Sequence, residues 1–369
     1  MTLRYAIIGA GMMGQEHIRN IALLPDAYVS TIVEPNDEMA AKAVQTAIDA
    51  GIKAPERYTD IDALLQSDKA DALIVVSPND THFDMMQKLL QTNLPILLEK
   101  PSATSADHAW SLVKSAENRA APVWVAMEYR YMPPVARIID EVRNGTIGKT
   151  KMISIVEHRF PFLNKVGAWN RFNARTGGTM VEKCCHFFDL MRLITGSEAV
   201  KVYGSGAQDV NFFDENYDGQ KPDILDNAFV IVDFENGVRA SLDLCMFAEG
   251  SYWQEQVSVV GDTGKVEAFV PGPSRFWPGG IERASEVIIS PRAERAPTRS
   301  EIHVDENLLA AGDHHGSTYF QHLKFFELCK TKTGKPEVTL RDGAHAVALG
   351  AAAEQSIRTG TVVHLENRS

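Results

Sequence analysis

Residues 177–189 read Gly177-Gly178-Thr179-Met180-Val181-Glu182-Lys183-Cys184-Cys185-His186-Phe187-Phe188-Asp189. Glu182 and His186 are four apart, a spacing that puts them on one face of a helix. An imidazole titrates near neutrality and suits the removal of a proton from a hydroxyl. A carboxylate such as Glu182 can orient that ring or hold a substrate hydroxyl. Far upstream, Glu99-Lys100-Pro101 offers a lysine that can donate to an oxygen as negative charge develops on it. A base, an orienting acid and a donor are three of the parts that alcohol oxidation needs. The fourth is a hydride acceptor.

Its place is at the start of the chain. Tyr5–Ile8 is continuously apolar, as in a strand buried on both faces. Gly9-Ala10-Gly11-Met12-Met13-Gly14 follows, then a helical stretch Gln15–Leu24, then a second strand Tyr28–Val33. Glu34 closes that strand, 20 residues after Gly14. Gly9 serves the tight turn, Gly11 a close approach to pyrophosphate, and Gly14 the packing of helix on strand. The helix N-terminus offers its amides to phosphate. Glu34 can accept hydrogen bonds from the adenosine ribose and repel a 2′-phosphate, which favours NAD over NADP. A glycine-rich turn with no ligand is the alternative, and the complete strand–turn–helix–strand–acid order weighs against it.

These parts need a scaffold. Helices are expected at Met39–Ala50, Thr59–Gln66 with Thr59 as a possible N-cap, Phe83–Thr92 and Ala106–Asn118. Strands are expected at Ala72–Val76, Ile96–Leu98 and Val123–Met127. Such alternation predicts a doubly wound parallel sheet, an α/β Rossmann domain over residues 1–127. Ligands in such folds lie beyond the carboxyl ends of the strands. There stand the glycine turn, Ser77-Pro78-Asn79-Asp80-Thr81-His82, and Glu99-Lys100. Cofactor contacts are therefore expected from Met12, Met13, Ser77, Pro78, Asn79, His82, Glu99 and Lys100 besides the glycines and Glu34.

The glycine pattern, Pro78-Asn79-x-x-His82 and Glu99-Lys100-Pro101 together resemble the glucose-fructose oxidoreductase/inositol dehydrogenase (Gfo/Idh/MocA) family of two-domain sugar and polyol dehydrogenases. The resemblance covers essentially the whole chain. It implies that Lys100 lies at the nicotinamide end of the cofactor cleft and that His186 comes from the second domain. Glu182, His186 and Asp189 fall on the family's acid, histidine and aspartate. The family more often has aspartate at position 182 and glycine at position 184, so Glu182 and Cys184 depart from its pattern.

After Met127 the pattern changes. A helix at Val135–Asn144 precedes short strand-like runs at Lys151–Glu157, Val200–Gly204, Ala228–Phe234, Arg239–Met246, Glu255–Gly261 and Gly264–Phe269. Turn signals such as Glu235-Asn236-Gly237 separate them. With helices at Val181–Thr195, Ser317–Thr331 and Arg341–Thr359, this predicts an α+β domain over 128–369, built on a largely antiparallel sheet. It would serve substrate binding and homo-oligomer formation. Residues 271–297, rich in Pro, Gly and charge, are expected to include surface loops.

The stretch 157–175 carries His158, Arg159, Lys165, Arg171 and Arg175 against one acid, Glu157, and interleaves Phe160, Phe162, Trp169 and Phe172. Aromatic rings can cover a sugar face and arginine forks can hold anionic groups, so an anionic sugar is one expectation, with Arg159, Trp169 and Arg171 in contact; a solvated loop or a subunit contact is the other. Lys183 reads as structural or substrate-contacting. Asp189 reads equally as catalytic support or as a helix-packing partner. Cys184 and Cys185 read as small hydrophobes. His314-His315 lacks further ligand spacing, so no metal is expected, although its loop could reach a pocket.

The net charge of −11 argues against nucleic acid as the main partner. No apolar run approaches the length of a membrane span, and the cysteine usage fits a reduced, cytoplasmic setting. Redox-assisted glycoside hydrolysis with the same cofactor, and a non-enzymatic NAD-binding sensor, are the competing readings. A sensor has no chemical need for Lys100 and His186.

Overall fold

The computed structural model describes residues 2–280 and 283–366. The chain separates into two compact units, one of residues 1–128, 165–169 and 306–347, the other of 129–164, 170–305 and 348–369.

The first unit opens with β1 (Leu3–Ile8), α1 (Met12–Ala22), β2 (Ala27–Val33), α2 (Asp37–Asp49), β3 (Glu56–Tyr58), α3 (Ile61–Leu65), β4 (Ala72–Val75), α4 (His82–Leu89), β5 (Ile96–Leu98), α5 (Ala106–Ser115) and β6 (Val123–Val125). The strands form one parallel sheet in the order β3-β2-β1-β4-β5-β6. This is the doubly wound order, with its crevice between β1 and β4. Tyr5, Ala6, Ile7 and Ile8 are buried, as the continuous apolar run requires of a central strand. The N-termini of α2, α3 and α5 are closed by Asn36, Asp60 and Ser105, which accept from the amides of Met39, Ala63 and His108. Asp60, not Thr59, caps α3, because the helix starts at Ile61 and the Asp60 carboxylate accepts from the Ala63 amide at 2.8 Å.

The second unit contains α6 (Pro133–Arg143), β7 (Thr150–His158), α7 (Asn173–Thr176), α8 (Thr179–Glu182), α9 (Cys185–Thr195), β8 (Ala199–Ala207), β9 (Asn227–Phe234), β10 (Arg239–Cys245), β11 (Glu255–Gly261), β12 (Gly264–Val270), β13 (Ser285–Pro291) and β14 (Thr298–Ile302). The chain ends with α10 (Glu306–Ala311), α11 (Ser317–Thr331), α12 (Leu340–Thr359) and β15 (Val363–His364). The sheet runs β14-β13-β12-β11-β7-β10-β9-β8-β15, and among the described residues only β7 and β10 pair in parallel. Period-two alternation sends Ile153, Ile155, Val230, Val232, Leu242, Val257 and Val259 into one core with Phe187, Phe188, Leu190 and Met191 of α9.

Two expectations change. The single helix Val181–Thr195 is two helices, α8 and α9, divided at Lys183-Cys184. The Cys184 amide reaches back to the Thr179 carbonyl, five residues earlier, so the turn is slack there. The stretch 271–297 also contains β13, which pairs Val287 with Ala268 and buries it despite the surrounding Pro and Gly.

Candidate active site

In the first unit, Gly9 has φ 99°, and a Cβ on it would sit 2.7 Å from the backbone of Val76 and Ser77. A Cβ on Gly14 would lie 2.4 Å from the Gly9 carbonyl oxygen. Only glycine permits this turn between β1, β4 and α1. The N-terminus of α1 has no side-chain cap and no acid in its first turn, unlike α2, α3 and α5. Its amides are left for an anion, and the space beside Gly11 is open. Met12 is exposed there and Met13 half-buried. Glu34 is held by two backbone donors: Ala10 N to Oε2 at 2.8 Å and Asn36 N to Oε1 at 2.9 Å. These features fit a dinucleotide, with its pyrophosphate at the α1 amides and its ribose at Glu34.

The loops after β4 and β5 are tied by His82. Its fully buried ring places Nε2 3.0 Å from the Ser77 carbonyl and Nδ1 2.8 Å from that of Pro101. Burial holds this imidazole below its ordinary pKa, and a neutral ring donates to one of the two carbonyls. The Ser77 hydroxyl lies 2.7 Å from that of Thr81, and Asn79 is buried beside them. Pro78 opens the turn that leads into α4. Glu99 supports Lys100 from behind: its Oε2 accepts from the Lys100 amide at 3.2 Å, and its Oε1 lies 3.2 Å from His17 Nε2. Burial pushes the Glu99 carboxyl up, but the hydrogen bond and charge of His17 outweigh it and hold the group below the usual range. Lys100 itself is half-buried.

In the second unit, His186 begins α9, only 3% exposed, with its ring 4.1 Å from that of Tyr129 and 8° from parallel. Lys183 donates to the Tyr129 hydroxyl at 2.5 Å and lies 2.8 Å from Glu157 Oε1. The Tyr129 hydroxyl reaches Glu255 at 3.4 Å, and Gln254 donates to Glu255 at 2.8 Å. Burial, then the negative charge of Glu157, pushes the Glu255 carboxyl up to about 7. Burial likewise holds Lys183 below its ordinary value. Asp189 and Arg130 form a buried bidentate pair at 2.5 Å, which anchors α9 to the segment after β6. Glu182, 2% exposed, stands at the end of α8, across the helix break from His186, so the two do not share one continuous helix face. Cys184 and Cys185 are fully buried.

The basic stretch 157–175 is met by the protein's own acids. Arg171 is clasped by Glu215 at 2.7 Å with its guanidinium over Phe212, Arg159 lies 3.6 Å from Glu157, and His158 is 3.1 Å from Asp243. In the first unit, Lys165 lies over the buried ring of Trp169.

Tyr129, Glu157 and Glu255 were missed in the sequence. Two of them carried a signal: Glu157 shares parity with Ile153 and Ile155, and Glu255 with Val257 and Val259, so both point with the apolar face into the core. An inward acid requires a buried cation, and Lys183 supplies it.

The chain belongs to the Gfo/Idh/MocA oxidoreductase family. Residues 3–127 match the family's NAD-binding Rossmann fold, and residues 139–365 match its C-terminal alpha/beta domain. The chain is 23% identical to the myo-inositol 2-dehydrogenase of Thermotoga maritima, over 99% of each chain. It is 26% identical to an uncharacterized oxidoreductase of Bacillus subtilis, YrbE, over 98% of this chain and 96% of that one. Its fold matches a levoglucosan dehydrogenase solved with NADH, with a TM-score of 0.81 at 18% identity over 99% and 100% of the two chains. The Rossmann domain is therefore an NAD-binding one. Among the described residues no helix is long and apolar enough to cross a membrane.

Proposed function

We propose that the protein oxidises a hydroxyl of a polyol, sugar or sugar derivative with NAD, residues 1–127 holding the cofactor and 128–369 the substrate. The observation that carries this reading is a buried imidazole, His186, held flat against Tyr129 in a chain that matches an inositol dehydrogenase along its whole length. NAD supplies the hydride acceptor when bound. The α1 amides and Glu34 hold and orient it, with Met12, Met13, Ser77, Pro78, Asn79 and His82 shaping the rest of the cleft. In this reading His186 is the base for a hydroxyl proton, Lys100 a donor to developing negative charge, and Glu182 a group that orients the substrate. Arg171 is occupied by Glu215, which favours a neutral substrate over one held by that guanidinium.

The outer face of the second unit's sheet supports a homo-oligomer. Tyr203 of β8, Phe229 and Ile231 of β9 and Met152 of β7 are exposed there, with Tyr203 paired to Ile231. A cytoplasmic location belongs to the same reading.

The test is a turnover screen of inositols, neutral sugars, sugar acids and glycosides with NAD. Net NADH formed in proportion to oxidised polyol or sugar is the expected result. Glycoside cleavage without net NADH would instead establish redox-assisted hydrolysis.

A further inference from the structure

Behind the glycine turn, three side chains from distant parts of the sequence converge. Glu16 on α1, Glu128 after β6 and His314 before α11 offer ligand atoms all within 4.8 Å of one another. His314 Nδ1 lies 2.9 Å from Glu16 Oε1 and 3.5 Å from Glu128 Oε1. The Thr318 hydroxyl lies 2.8 Å from Glu16 Oε1 and 2.5 Å from Glu128 Oε2. Both glutamates are buried, at 6% and 2% exposure, whereas the His314 side chain is 25% exposed and gives a way in.

We propose that Glu16, Glu128 and His314 bind one divalent cation of the manganese–zinc kind, and that the bound ion ties α1 to the chain's returning segment. A cation with bonds of about 2.1 Å sets neighbouring ligand atoms roughly 3.0 Å apart at octahedral angles and roughly 3.4 Å apart at tetrahedral ones. The spacings of 2.9 and 3.5 Å are those of such a shell. Two carboxylates and an imidazole form a mixed oxygen–nitrogen set, which suits manganese or zinc better than calcium or copper(I). Two buried carboxylates within 4.8 Å of each other favour positive charge beside them, which a protonated His314 or a bound cation supplies.

A second observation comes from α11. Gln321, fully buried one turn beyond Thr318, has neither its amide oxygen nor its nitrogen engaged, and the buried Ser317 hydroxyl beside Thr318 is also unengaged. Thr318 of the same helix already touches both glutamates, and these unengaged groups one turn or less away are ones that water around an ion would satisfy. The backbone makes room as well: a Cβ on Gly312 would sit 2.4 Å from the Glu16 carboxyl. No spacing rule could show the site, since Glu16 and His314 are 298 residues apart.

The proposal stands apart from the dehydrogenase reading, and its test does not use turnover. Full-length protein is stripped with a chelator and titrated with Mn²⁺, then with Zn²⁺, by calorimetry. One saturable site per chain is expected, with a melting temperature that rises on saturation. Glu128→Gln and His314→Asn should each weaken the site roughly 100-fold or more, beyond the loss typical of an outer-shell change. His303→Asn, on a 76% exposed side chain of the other unit, should leave it unchanged. If Glu128→Gln fails to fold, His314→Asn decides, because that side chain is partly exposed. Absence of saturable uptake by the wild-type chain, or undiminished uptake in His314→Asn, overturns the proposal.

Discussion

The two units bury charge in different ways. In the first, Glu99 sits against His17 and Lys100, with His82 nearby, and its carboxyl is held below the usual range. In the second, Glu255 and Glu157 share one lysine, Lys183, and the Glu255 carboxyl is pushed up to about 7. A carboxylate with its own cationic partner stays ionised. Two that compete for one cation cannot both do so cheaply. The first arrangement suits a loop that must present Lys100 in a constant state. The second places a group that titrates near neutrality within the network that carries Tyr129 and hence His186.

Removing the shared cation should give the largest effect. Lys183→Met leaves the buried Glu157 and Glu255 with only the more distant Arg159, 3.6 Å from Glu157, and should destabilise the protein by about 3 kcal/mol, read from denaturant unfolding. A loss below about 1 kcal/mol would mean that the pair is already neutral and that the contrast between the units is smaller than drawn. Next come the proposed catalytic groups, one in each unit. His186→Ala and Lys100→Ala should each lower turnover by roughly 10²-fold, with NAD affinity nearly unchanged for His186→Ala, as steady-state kinetics and NAD titration would show.

The pH responses of these two carboxylates should be opposite in sign. Glu255, facing Glu157, Lys183, Arg159, Gln254 and Tyr129, has a folded pKa raised above its unfolded value. Its contribution is therefore full below about pH 4.5 and is lost as pH rises through about 7. Glu99, facing His17, Lys100, His82 and the nearby Glu128, has a folded pKa lowered by its partners, so its contribution is present above the unfolded value and is lost as pH falls. Glu255→Gln should flatten stability between about pH 5 and 7, and Glu99→Gln should flatten it only on the acid side. Melting curves across that range would show the same limb altered in both variants if the distinction is false. The smallest effect concerns cofactor choice. Glu34→Ala should cost NAD about tenfold in affinity, near the lower bound for a hydrogen bond to a charged group, and leave NADP less disfavoured. Unchanged selectivity would move the ribose contact elsewhere.

Legibility in the sequence followed the range of the interactions. The glycine turn, Glu34 and the strand–helix alternation were readable because each is set within a few residues or by one local period. The antiparallel sheet was readable from turns and alternation, except for its edge strands β14 and β15 and for β13, whose neighbours have loop composition while Val287 is held by cross-strand packing. The division of α8 from α9 was not readable. It occurs where Lys183 is engaged by Glu157 and Tyr129, partners supplied by other elements. The same holds for Arg130 with Asp189, which turned an open choice for Asp189 into a buried ion pair.

The return of residues 306–347 to the first unit bears on how the protein is made. The Val125 amide of β6 donates to the Val338 carbonyl, and Phe325 of α11 lies beside Tyr5 and Trp124. The edge and one flank of the nucleotide sheet thus stay uncovered until the last fifth of the chain has left the ribosome. The N-terminal segment must wait, with apolar surface open, through synthesis of the whole antiparallel sheet. Vectorial synthesis here begins one unit, completes much of the other, and only then closes the first.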